Sequence, residues 1–340
     1  MILVTGGTGL VGSHLLHKLV SENKQVRAIY RRSHTLDRVK HVFSYYNKDH
    51  KVLYDKIEWI KADINDVPAL EIAFKDIEYV YHCAAFVSFE PNKYYQLRNI
   101  NIEGTANIVN LCISHHIKKL CYVSSIAAIG HESNPNQFIT EETEWNPEED
   151  NSVYAITKYG AEMEVWRGTQ EGVPAVIVNP GIILGPGYWK GGSSGNLFRI
   201  IHKGLKYYTS GSSAYVDVWD VCNSMVKLMQ SDIKNERFII ISENLAFNDF
   251  QKKVAKTLVV KPAKKEASAF LLELGWRLDW LTNKLFGKRR KLSKQMAKTV
   301  RSKTVYDNSK VKNALQFKFK SIDDSIENVS KFYLNDLKNN

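Results

Sequence analysis

The sequence predicts an α/β fold with a doubly wound parallel sheet, and three observations predict it. An apolar triplet at residues 2–4 runs into an octet, residues 5–12, that holds three glycines spaced three apart. Helical patterns, such as residues 94–116 and 152–169, separate further strand-like runs, and no internal repeat breaks the alternation. These further runs are residues 25–30, 56–61, 79–83, 120–124, 175–179 and 237–242. Such alternation is typical of a Rossmann-type sheet with helices on both faces.

The glycine octet indicates how the first strand would meet a ligand. Gly6 permits a tight turn, Gly9 lets backbone approach a pyrophosphate, and Gly12 lets the following helix pack closely on its strand. The helix N-terminus offers unpaired N–H groups and the positive end of its dipole to that pyrophosphate. We therefore expect a dinucleotide site here. The alternative is a tight strand-to-helix turn that binds nothing.

Length and composition indicate a globular protein with a sizeable core. The 340 residues suffice for one large α/β domain or two, and 44% hydrophobic with 24% charged residues is ordinary for a soluble chain. No apolar run reaches about 18 residues, so we expect no transmembrane helix. A strand that begins at Ile2 leaves no room for a signal peptide. The cysteines lie in apolar contexts without metal-ligand spacing, which predicts reduced core thiols, no metal site and a cytoplasmic location: Cys83, Cys112, Cys121 and Cys222.

The basic charge is concentrated in one segment. The formal net charge is +11, and residues 251–303 hold 16 Lys/Arg against three Asp/Glu. One interpretation is that the segment meets an anionic membrane surface or an acidic ligand. The simpler interpretation, which we favour, is a solvated helix face. We expect no nucleic-acid partner.

The pattern loosens after about Asn179, which predicts a second, smaller domain that binds the substrate. A Gly/Ser-rich stretch at residues 185–195 is followed by a helical run and a strand, and residues 267–286 form another amphipathic stretch. In doubly wound sheets the ligand crevice lies at the carboxyl ends of the strands, here facing the smaller domain. The expected division assigns residues 1–179 and 212–243 to the dinucleotide-binding domain, and residues 180–211 and 244–335 to the substrate-binding domain.

Tyr154 and Lys158 form a second motif with chemical content. Their spacing of four residues in a helical stretch puts both side chains on one face. A free tyrosine has a pKa of about 10, so acid-base work at neutral pH needs a positive charge that favours its phenolate. Lys158 supplies that charge. Ser125 follows the strand-like run 120–124, at a carboxyl edge where its hydroxyl is placed to hydrogen-bond a substrate carbonyl.

With these motifs the chain resembles the extended short-chain dehydrogenases/reductases over essentially its whole length. The resemblance implies a proton donor at Tyr154, its activator at Lys158 and a substrate-holding hydroxyl at Ser125, which Gly130 favours over Ser124. It also implies a set of residues that contact the cofactor. These are Gly6, Thr8, Gly9, Leu10, Val11, Gly12, Arg31, Arg32, Asp63, Ile64, Ala84, Ala85, Asn101, Tyr154, Lys158, Pro180, Gly181 and Ile182.

Some of these residues have simpler roles as alternatives. Asp63 is expected to hydrogen-bond the adenine, and the alternative is that it caps the next turn. Asn101 alternatively ties backbone together inside its helix. His82, in the fourth-strand motif, is expected to be a packed, hydrogen-bonded core residue without chemistry.

Arg31 and Arg32 favour NADP(H) as the cofactor. Enzymes that use NAD place Asp or Glu at the end of the second strand, whereas residues 27–33 contain no carboxylate. Guanidinium groups at this position would fork onto a 2′-phosphate. NAD(H) stays possible if the arginines only begin a solvated loop.

Departures from the sugar-nucleotide enzymes of the family favour a hydrophobic substrate. Ile182 stands where those enzymes carry an amide, and Ile126 and Ala127 follow Ser125 in place of an Asp-Glu pair. Residues 211–217 hold no arginine, which those enzymes carry just before this segment to bind a diphosphate. The expected pocket wall is aromatic and apolar, and the alternative is that the same residues belong to the core: Phe86, Val87, Phe89, Tyr94, Tyr188, Trp189, Phe198 and Trp276.

These observations predict an NADP(H)-dependent oxidoreductase that reduces a carbonyl group, or oxidises the matching alcohol, of a hydrophobic small molecule. The subgroup most similar is that of dihydroflavonol-4-reductase-like and 3β-hydroxysteroid-dehydrogenase-like proteins, whose closing helix pattern matches residues 306–315. One alternative is a nucleotide-sugar epimerase or dehydratase that retains NAD. The other is a non-catalytic NADP-sensing protein, against which the complete Ser-Tyr-Lys set argues.

Two surfaces are assigned to partners. The helical stretches 101–116 and 152–169 are expected to pair across a two-fold axis in a homodimer, the alternative being that they face their own sheet. The apolar residues assigned to this contact are Ile108, Leu111, Ala161 and Val165. Residues 270–291 join an apolar, Trp-bearing stripe to a basic cluster at residues 288–291. We expect the stripe to roof the substrate pocket, and contact with an anionic membrane is the alternative.

Overall fold

A computed structural model of the chain describes residues 1–132, 137–190, 194–287, 290 and 292–339. Twelve strands lie within these residues: β1 (Ile2–Thr5), β2 (Val26–Tyr30), β3 (Ile57–Lys61), β4 (Tyr79–His82), β5 (Lys119–Val123), β6 (Ala175–Pro180), β7 (Ile182–Leu184), β8 (Tyr207–Tyr208), β9 (Ser212–Asp217), β10 (Glu236–Ile240), β11 (Glu243–Ala246) and β12 (Lys265–Glu266). Fourteen α-helices accompany them: α1 (Leu10–Ser21), α2 (Leu36–Ser44), α3 (His50–Asp55), α4 (Val67–Phe74), α5 (Tyr94–Arg98), α6 (Gly104–Ser114), α7 (Val153–Gln170), α8 (Gly195–His202), α9 (Val218–Gln230), α10 (Phe247–Thr257), α11 (Ala269–Phe286), α12 (Lys294–Thr299), α13 (Ser309–Leu315) and α14 (Ile322–Asn339).

Seven of the strands form one parallel sheet in the order β10-β6-β5-β4-β1-β2-β3. β1 lies between β2 and β4, where Val4 pairs with Ala28 on one side and with Tyr81 on the other. Every residue of β6 is buried, as expected for parallel strands that helices cover on both faces. The predicted doubly wound α/β fold is confirmed.

Two apolar clusters cover the two faces of this sheet. Leu3 and Val4 are neighbours on β1 yet belong to different clusters, because successive side chains of a strand point to opposite faces. Residues of α1, α2 and α9 complete one cluster, and residues of α4, α6 and α7 complete the other. The helices therefore hold the sheet, and the loops at its carboxyl edge, from both sides.

The residues assigned to a dimer contact lie in this core instead. Ile108 and Leu111 of α6, with Ala161 and Val165 of α7, are buried in the cluster that covers their own sheet. The expectation that these four form an intersubunit contact is wrong. The apolar spacing marks the face that a helix buries, and here the partner of that face is the sheet. Whether the protein is a homodimer stays a prediction.

A second sheet of three strands lies beyond the main one, in the order β11-β9-β7. β7 runs parallel to β9, and β11 runs antiparallel to it. A separate apolar cluster packs on this sheet, with contributions from α8, α10 and α14. The predicted division placed residues 212–243 with the dinucleotide-binding domain, whereas β9 within that range pairs with the small sheet. The division into two domains stays a prediction.

The apolar stripe of α11 is exposed rather than packed. Leu272 is the single buried residue of this helix, and eight large apolar side chains are exposed: Phe270, Leu271, Leu274, Leu278, Trp280, Leu281, Leu285 and Phe286. Most of the stripe is open to solvent, and its expected role as the roof of the substrate pocket stays a prediction. None of the described helices is long and apolar enough to span a bilayer. Lys288, Arg289 and Lys291 of the predicted basic cluster lie outside the described residues.

The cysteines are free thiols, as predicted. Cys112, Cys121 and Cys222 are buried and Cys83 is half-buried, and burial raises the thiol pKa at all four positions. In the part of the chain that the structure describes, no group of three or more His, Cys, Asp or Glu side chains is placed to hold a metal ion.

Candidate active site

The predicted site residues follow strands whose carboxyl ends meet at one edge of the main sheet. Strand order reverses beside β1, because β2 and β3 lie on one side of it and β4, β5, β6 and β10 on the other. Such a switch point opens a crevice at the carboxyl edge. Gly6 follows β1 directly, Ala84 follows β4 and Ser125 follows β5. The structure thus brings three predicted segments to one crevice.

The glycine turn has the geometry expected of it at Gly6 and Gly12. Gly6 has a φ of +66°, and a Cβ there would lie 2.5 Å from the backbone nitrogen of Ala84. A Cβ on Gly12 would lie 2.2 Å from the carbonyl oxygen of Gly6, so α1 packs against the turn at glycine distance. Gly9 is the N-cap of α1 and brings no side-chain cap to it, whereas Asp66 and Ser152 cap α4 and α7. An uncapped helix start is suited to binding phosphate.

A buried hydrogen-bond chain under this turn was not predicted from the sequence. His82 Nδ1 lies 2.6 Å from the Thr5 hydroxyl and His82 Nε2 lies 2.9 Å from the Thr105 hydroxyl. The Thr5 hydroxyl also accepts from the backbone N–H of Ala84 at 3.3 Å. Burial lowers the pKa of His82 to about 3, so the ring is neutral and joins β1, β4 and α6. His82 is the packed core residue that the sequence indicated.

Asn101 holds the loop that follows β4. It lies in a π-helical turn, Asn99–Glu103, and is buried. Its Oδ1 accepts from the Phe86 N–H at 2.8 Å, while its Nδ2 donates to the Phe86 carbonyl at 3.0 Å and to the Thr157 hydroxyl at 3.1 Å. These contacts connect the helix of Asn101 to the loop after β4 and to α7. Asn101 therefore has the structural role that was its alternative, although the backbone it holds lies outside its own helix. A contact of Asn101 with a cofactor stays a prediction.

Ser125 and Tyr154 meet in the crevice. α7 begins just before Tyr154, where the Ser152 hydroxyl caps the helix by accepting from the Ala155 N–H at 3.0 Å. Ser125 starts a 3-10 turn, and its hydroxyl neighbours the Tyr154 phenol. Burial raises the pKa of Tyr154 to about 12, and the Ser125 hydroxyl opposes that rise. Tyr154 is therefore protonated at neutral pH.

Lys158 lies one helical turn further along α7 and is fully buried. Its ammonium donates to the Tyr122 hydroxyl at 2.5 Å and to the Val123 carbonyl at 2.9 Å. Burial lowers the pKa of Lys158 to about 7, and the nearby Glu162 carboxylate opposes this. Burial dominates the pKa of Tyr154, and the expected action of Lys158 on that pKa stays a prediction.

Glu162 explains why Ser125 and not Ser124 faces the crevice. The Ser124 hydroxyl donates to Glu162 at 2.6 Å, and Asn179 Nδ2 donates to the same carboxylate at 2.9 Å and to the Ser125 carbonyl at 3.0 Å. Arg237 completes the network from β10, with Nη1 3.2 Å from Glu162. Sequence reasoning missed this network. Its one local signal is an acidic residue four positions after Lys158 on an otherwise apolar helix face.

The predicted adenine end lies at the carboxyl edge of β2 and β3. Arg31 and Asp63 are both exposed there, with the guanidinium 3.7 Å from the carboxylate. Asp63 also accepts from the backbone N–H of Asn65 at 3.0 Å, the local turn that was its alternative role. Arg32 is exposed beside Arg31, and Ile64 is buried next to Asp63. Their contacts with a cofactor stay predictions.

The predicted pocket wall is only partly at the crevice. The Phe89 ring packs edge-on against Tyr154, with centroids 5.4 Å apart, and Phe86 is half-buried in the same loop. Tyr188 is buried and donates its hydroxyl to the Thr8 carbonyl at 2.9 Å, which places it under the glycine turn. Trp189 donates its indole N–H to Asp336 of α14 at 2.6 Å. Roles of Phe86, Phe89, Tyr188 and Trp189 toward a substrate stay predictions.

Two more of the predicted wall residues lie elsewhere. Phe198 is fully buried in the cluster of the small sheet, so its assignment to a pocket wall is wrong. Trp276 packs with residues of α11 and α12. On the nicotinamide side of the expected site, Pro180 ends β6, Gly181 joins it to β7 and Ile182 begins β7.

Known proteins are similar to this chain in sequence and in fold. The sequence model of the NAD dependent epimerase/dehydratase family matches residues 2–240. The chain belongs to this family. A protein of Synechocystis sp. that is provisionally named dihydroflavonol 4-reductase is 26% identical over 98% of this chain and 94% of its own. A provisionally named UDP-glucose 4-epimerase of Methanocaldococcus jannaschii is 32% identical over 69% of this chain and 75% of its own. The solved structure of gox2253 is 22% identical, covers 99% of this chain and 98% of its own, and has a TM-score of 0.82.

Family membership confirms the predicted resemblance to the extended short-chain dehydrogenases/reductases. The chain is an enzyme that uses a nicotinamide dinucleotide and acts on a small molecule. The interpretation as a non-catalytic sensor is therefore not retained. The choice between reductase and epimerase, and between NADP and NAD, rests on the residues of the site.

Proposed function

We propose that the protein is an NADP(H)-dependent oxidoreductase that reduces a carbonyl group, or oxidises the matching alcohol, of a hydrophobic small molecule. One observation carries the proposal. The Ser125 hydroxyl neighbours the protonated phenol of Tyr154, and Lys158 lies one helical turn further along α7. Two neighbouring hydroxyls, one after β5 and one at the start of α7, can bind the same carbonyl oxygen.

The residues at the crevice fit a dinucleotide. The turn at Gly6 and Gly12 leaves no space for side chains, and α1 begins without a side-chain cap at Gly9. We assign the pyrophosphate to this helix start, where backbone N–H groups and the helix dipole favour an anion. Arg31 and Asp63 are assigned to the adenosine end, next to each other at the edge of β2 and β3.

Each residue then has a chemical role. When bound, the nicotinamide ring supplies a hydride to the carbonyl carbon or accepts one from the alcohol. Tyr154 gives its phenolic proton to the carbonyl oxygen during reduction, and its raised pKa keeps that proton in place beforehand. Ser125 donates a hydrogen bond to the same oxygen. A protonated Lys158 favours the phenolate that remains at Tyr154.

The walls near Tyr154 support a hydrophobic substrate. Phe89 contacts the Tyr154 ring and is 43% exposed, and Val87 is 41% exposed in the same loop. Apolar side chains that stand in solvent beside a reactive hydroxyl favour an apolar ligand, because binding removes them from water. The substrate itself is not fixed by these contacts, so the first experiment is a panel of ketones and aldehydes followed by NADPH absorbance.

Tyr154→Phe tests the assignment of the proton donor. Removal of one hydroxyl should lower turnover by roughly 100-fold or more, the usual contribution of a general acid, while NADPH affinity changes less than about twofold. Tyr159→Phe is the matched control, since Tyr159 lies on the same helix but stacks on Trp145 with centroids 4.5 Å apart. Turnover of Tyr154→Phe equal to that of Tyr159→Phe would contradict the mechanism.

The preference for NADP(H) is tested without a substrate. The unmutated protein should bind NADPH more tightly than NADH. Replacement of Arg31 and Arg32 by Ala should weaken NADPH binding about tenfold or more and leave NADH binding nearly unchanged, because charged hydrogen bonds to the 2′-phosphate are lost. Replacement of the exposed Lys203 and Lys234 by Ala removes the same charge elsewhere and is the control. Equal affinities of the unmutated protein for both cofactors would refute the preference.

Epimerisation of a nucleotide sugar is a second candidate function. The provisionally named UDP-glucose 4-epimerase of Methanocaldococcus jannaschii favours it, because that protein is 32% identical over 69% of this chain. That reaction returns the hydride to the sugar and has no net redox change. It predicts a purified protein that retains NAD and converts UDP-glucose without added cofactor. Conversion under those conditions, with no NADPH consumed on the ketone panel, would replace the first proposal.

A further inference from the structure

An uncovered apolar face runs along α11. Six of its residues recur at spacings that place them within a sector of about 100° on the helix surface, and all six are exposed: Phe270, Leu271, Leu274, Leu278, Leu281 and Leu285. We call this set the apolar face. The exposed fraction ranges from 36% at Leu271 to 77% at Phe270, so water covers side chains that usually lie in a core.

The opposite side of α11 is fixed to the protein, and this orients the apolar face outward. Leu272 and Trp276 belong to a small cluster with Leu292 and Ala297. The Asp279 carboxylate accepts from the Leu292 N–H at 3.2 Å. Because these contacts come from one side only, turning the apolar face inward would break them.

Basic side chains lie beside the apolar face, at Arg277 and Lys284, and Arg277 also pairs with Glu273. The Arg277 guanidinium lies 4.6 Å from the Trp276 ring centroid and the Lys284 ammonium lies 5.1 Å from that of Trp280. Residues 251–303, which include α11, hold 16 Lys/Arg and three Asp/Glu. Basic side chains with apolar stems suit the boundary between acyl chains and anionic headgroups.

We propose that α11 docks on the surface of an anionic lipid bilayer, lying in its plane with the apolar face among the acyl chains and the surrounding Lys and Arg on the headgroups. The helix has 18 residues, and Glu273, Arg277, Asp279 and Lys284 interrupt it, so it suits the interface and not the bilayer interior. A second copy of this chain is a poorer partner for the same face, because two such basic segments repel.

Contacts of α12 connect the docking helix to the crevice. Lys298 of α12, which packs with α11, is 3.2 Å from the Asp150 carboxylate, and Gln295 donates to the Asp150 carbonyl. Asp150 precedes Tyr154 by four residues. The docking helix is therefore connected through α12 to the start of α7, which carries the assigned proton donor. The docking surface itself rests on α11 and its charge, and not on the proposed reaction.

Vesicle sedimentation of the whole protein tests the proposal. Vesicles of phosphatidylcholine with about 30% phosphatidylserine are compared with vesicles of phosphatidylcholine alone, at about 0.15 M salt. The triple variant Leu274→Gln, Leu278→Gln and Leu281→Gln changes exposed side chains of the apolar face and should keep the unfolding midpoint of the unmutated protein. The control variant makes the same change at three apolar residues that are exposed on other surfaces: Val52, Ile72 and Val259.

We expect the unmutated protein and the control variant to sediment with the anionic vesicles and not with the neutral ones. The triple variant should bind the anionic vesicles at least about tenfold more weakly, because three apolar anchors are lost. No binding to anionic vesicles, equal binding to neutral ones, or unchanged binding of the triple variant would overturn the proposal. So would a dimer in light scattering that the triple variant alone converts to a monomer, since the apolar face would then belong to a second copy.

Discussion

Replacing Glu162 by Gln should destabilise the protein strongly, although the substitution hardly changes the shape of the side chain. Glu162 is fully buried and its carboxylate accepts from Ser124 at 2.6 Å, from Asn179 at 2.9 Å and from Arg237 at 3.2 Å. A glutamine offers one oxygen and one NH₂ group. Whichever way its amide turns, one of its neighbours faces a donor in place of an acceptor.

The expected loss follows from the charge that remains. Removal of one partner of a buried ion pair costs about 3–5 kcal/mol, because the other charge is left without compensation. The Arg237 side chain is 19% exposed and also donates to the Glu141 carbonyl, so its charge is partly compensated and the lower end applies, about 3 kcal/mol. For a chain of 340 residues we expect the unfolding midpoint to fall by roughly 4 °C.

Thermal unfolding and urea unfolding measure this loss. Glu164→Gln is the matched control: two residues further on the same helix, Glu164 pairs with Arg167 at 2.9 Å with both side chains partly exposed. Such a pair contributes about 0–1 kcal/mol. If the thermal unfolding midpoint of Glu162→Gln lay within about 2 °C of that of Glu164→Gln, the stabilisation assigned to the buried network would be refuted.

Three further predictions follow from packing and titration. Gly12→Ala should lower the free energy of unfolding by about 1–3 kcal/mol and weaken NADPH binding, because the new Cβ would lie 2.2 Å from the Gly6 carbonyl oxygen. A urea midpoint and a cofactor titration equal to those of the unmutated protein would contradict this prediction. Burial lowers the pKa of His14 to about 4 and of His82 to about 3, so the unfolded chain binds more protons below about pH 6.5. The free energy of unfolding should therefore fall as the pH drops from about 6.5 toward 4, and equal urea midpoints at about pH 7.5 and 5 would argue against it. Tyr122→Phe removes a hydrogen-bond acceptor of the Lys158 ammonium and should lower the pKa of Lys158 further below about 7. The alkaline limb of the pH–rate profile should then move to lower pH, and an unchanged limb would count against the role of Lys158.

The main sheet was predictable because its signals are local. A central strand such as β6 is buried on both faces and therefore reads as an apolar run, and the glycine turn fixes where the first strand ends. The spacing of Tyr154 and Lys158 likewise places both on one helix face without further information. Such patterns need only a few neighbouring residues.

What each apolar face packs against was not predictable. Ile108 and Leu278 occur in similar helical patterns, yet the first is fully buried and the second is 52% exposed. Periodicity shows that one side of a helix is apolar, and it does not show what covers that side. The buried network around Glu162 was missed for a related reason. Its partners come from β6, from β10 and from the residue after β5, and they share no local pattern.

Contacts between residues far apart in the sequence determine when each part of the fold can form during synthesis. The edge of β6 stays unpaired until β10 has been made, and the cluster of the small sheet lacks α14 until residues 322–339 follow. His41 contacts Asp336 at 2.9 Å, and the two residues are 295 positions apart in the sequence. At about 5–20 residues per second, roughly 15–60 s separate the two. Over that interval the nascent chain exposes an open strand edge and an unfinished apolar core, so it depends on protection from aggregation before its final stability has any effect.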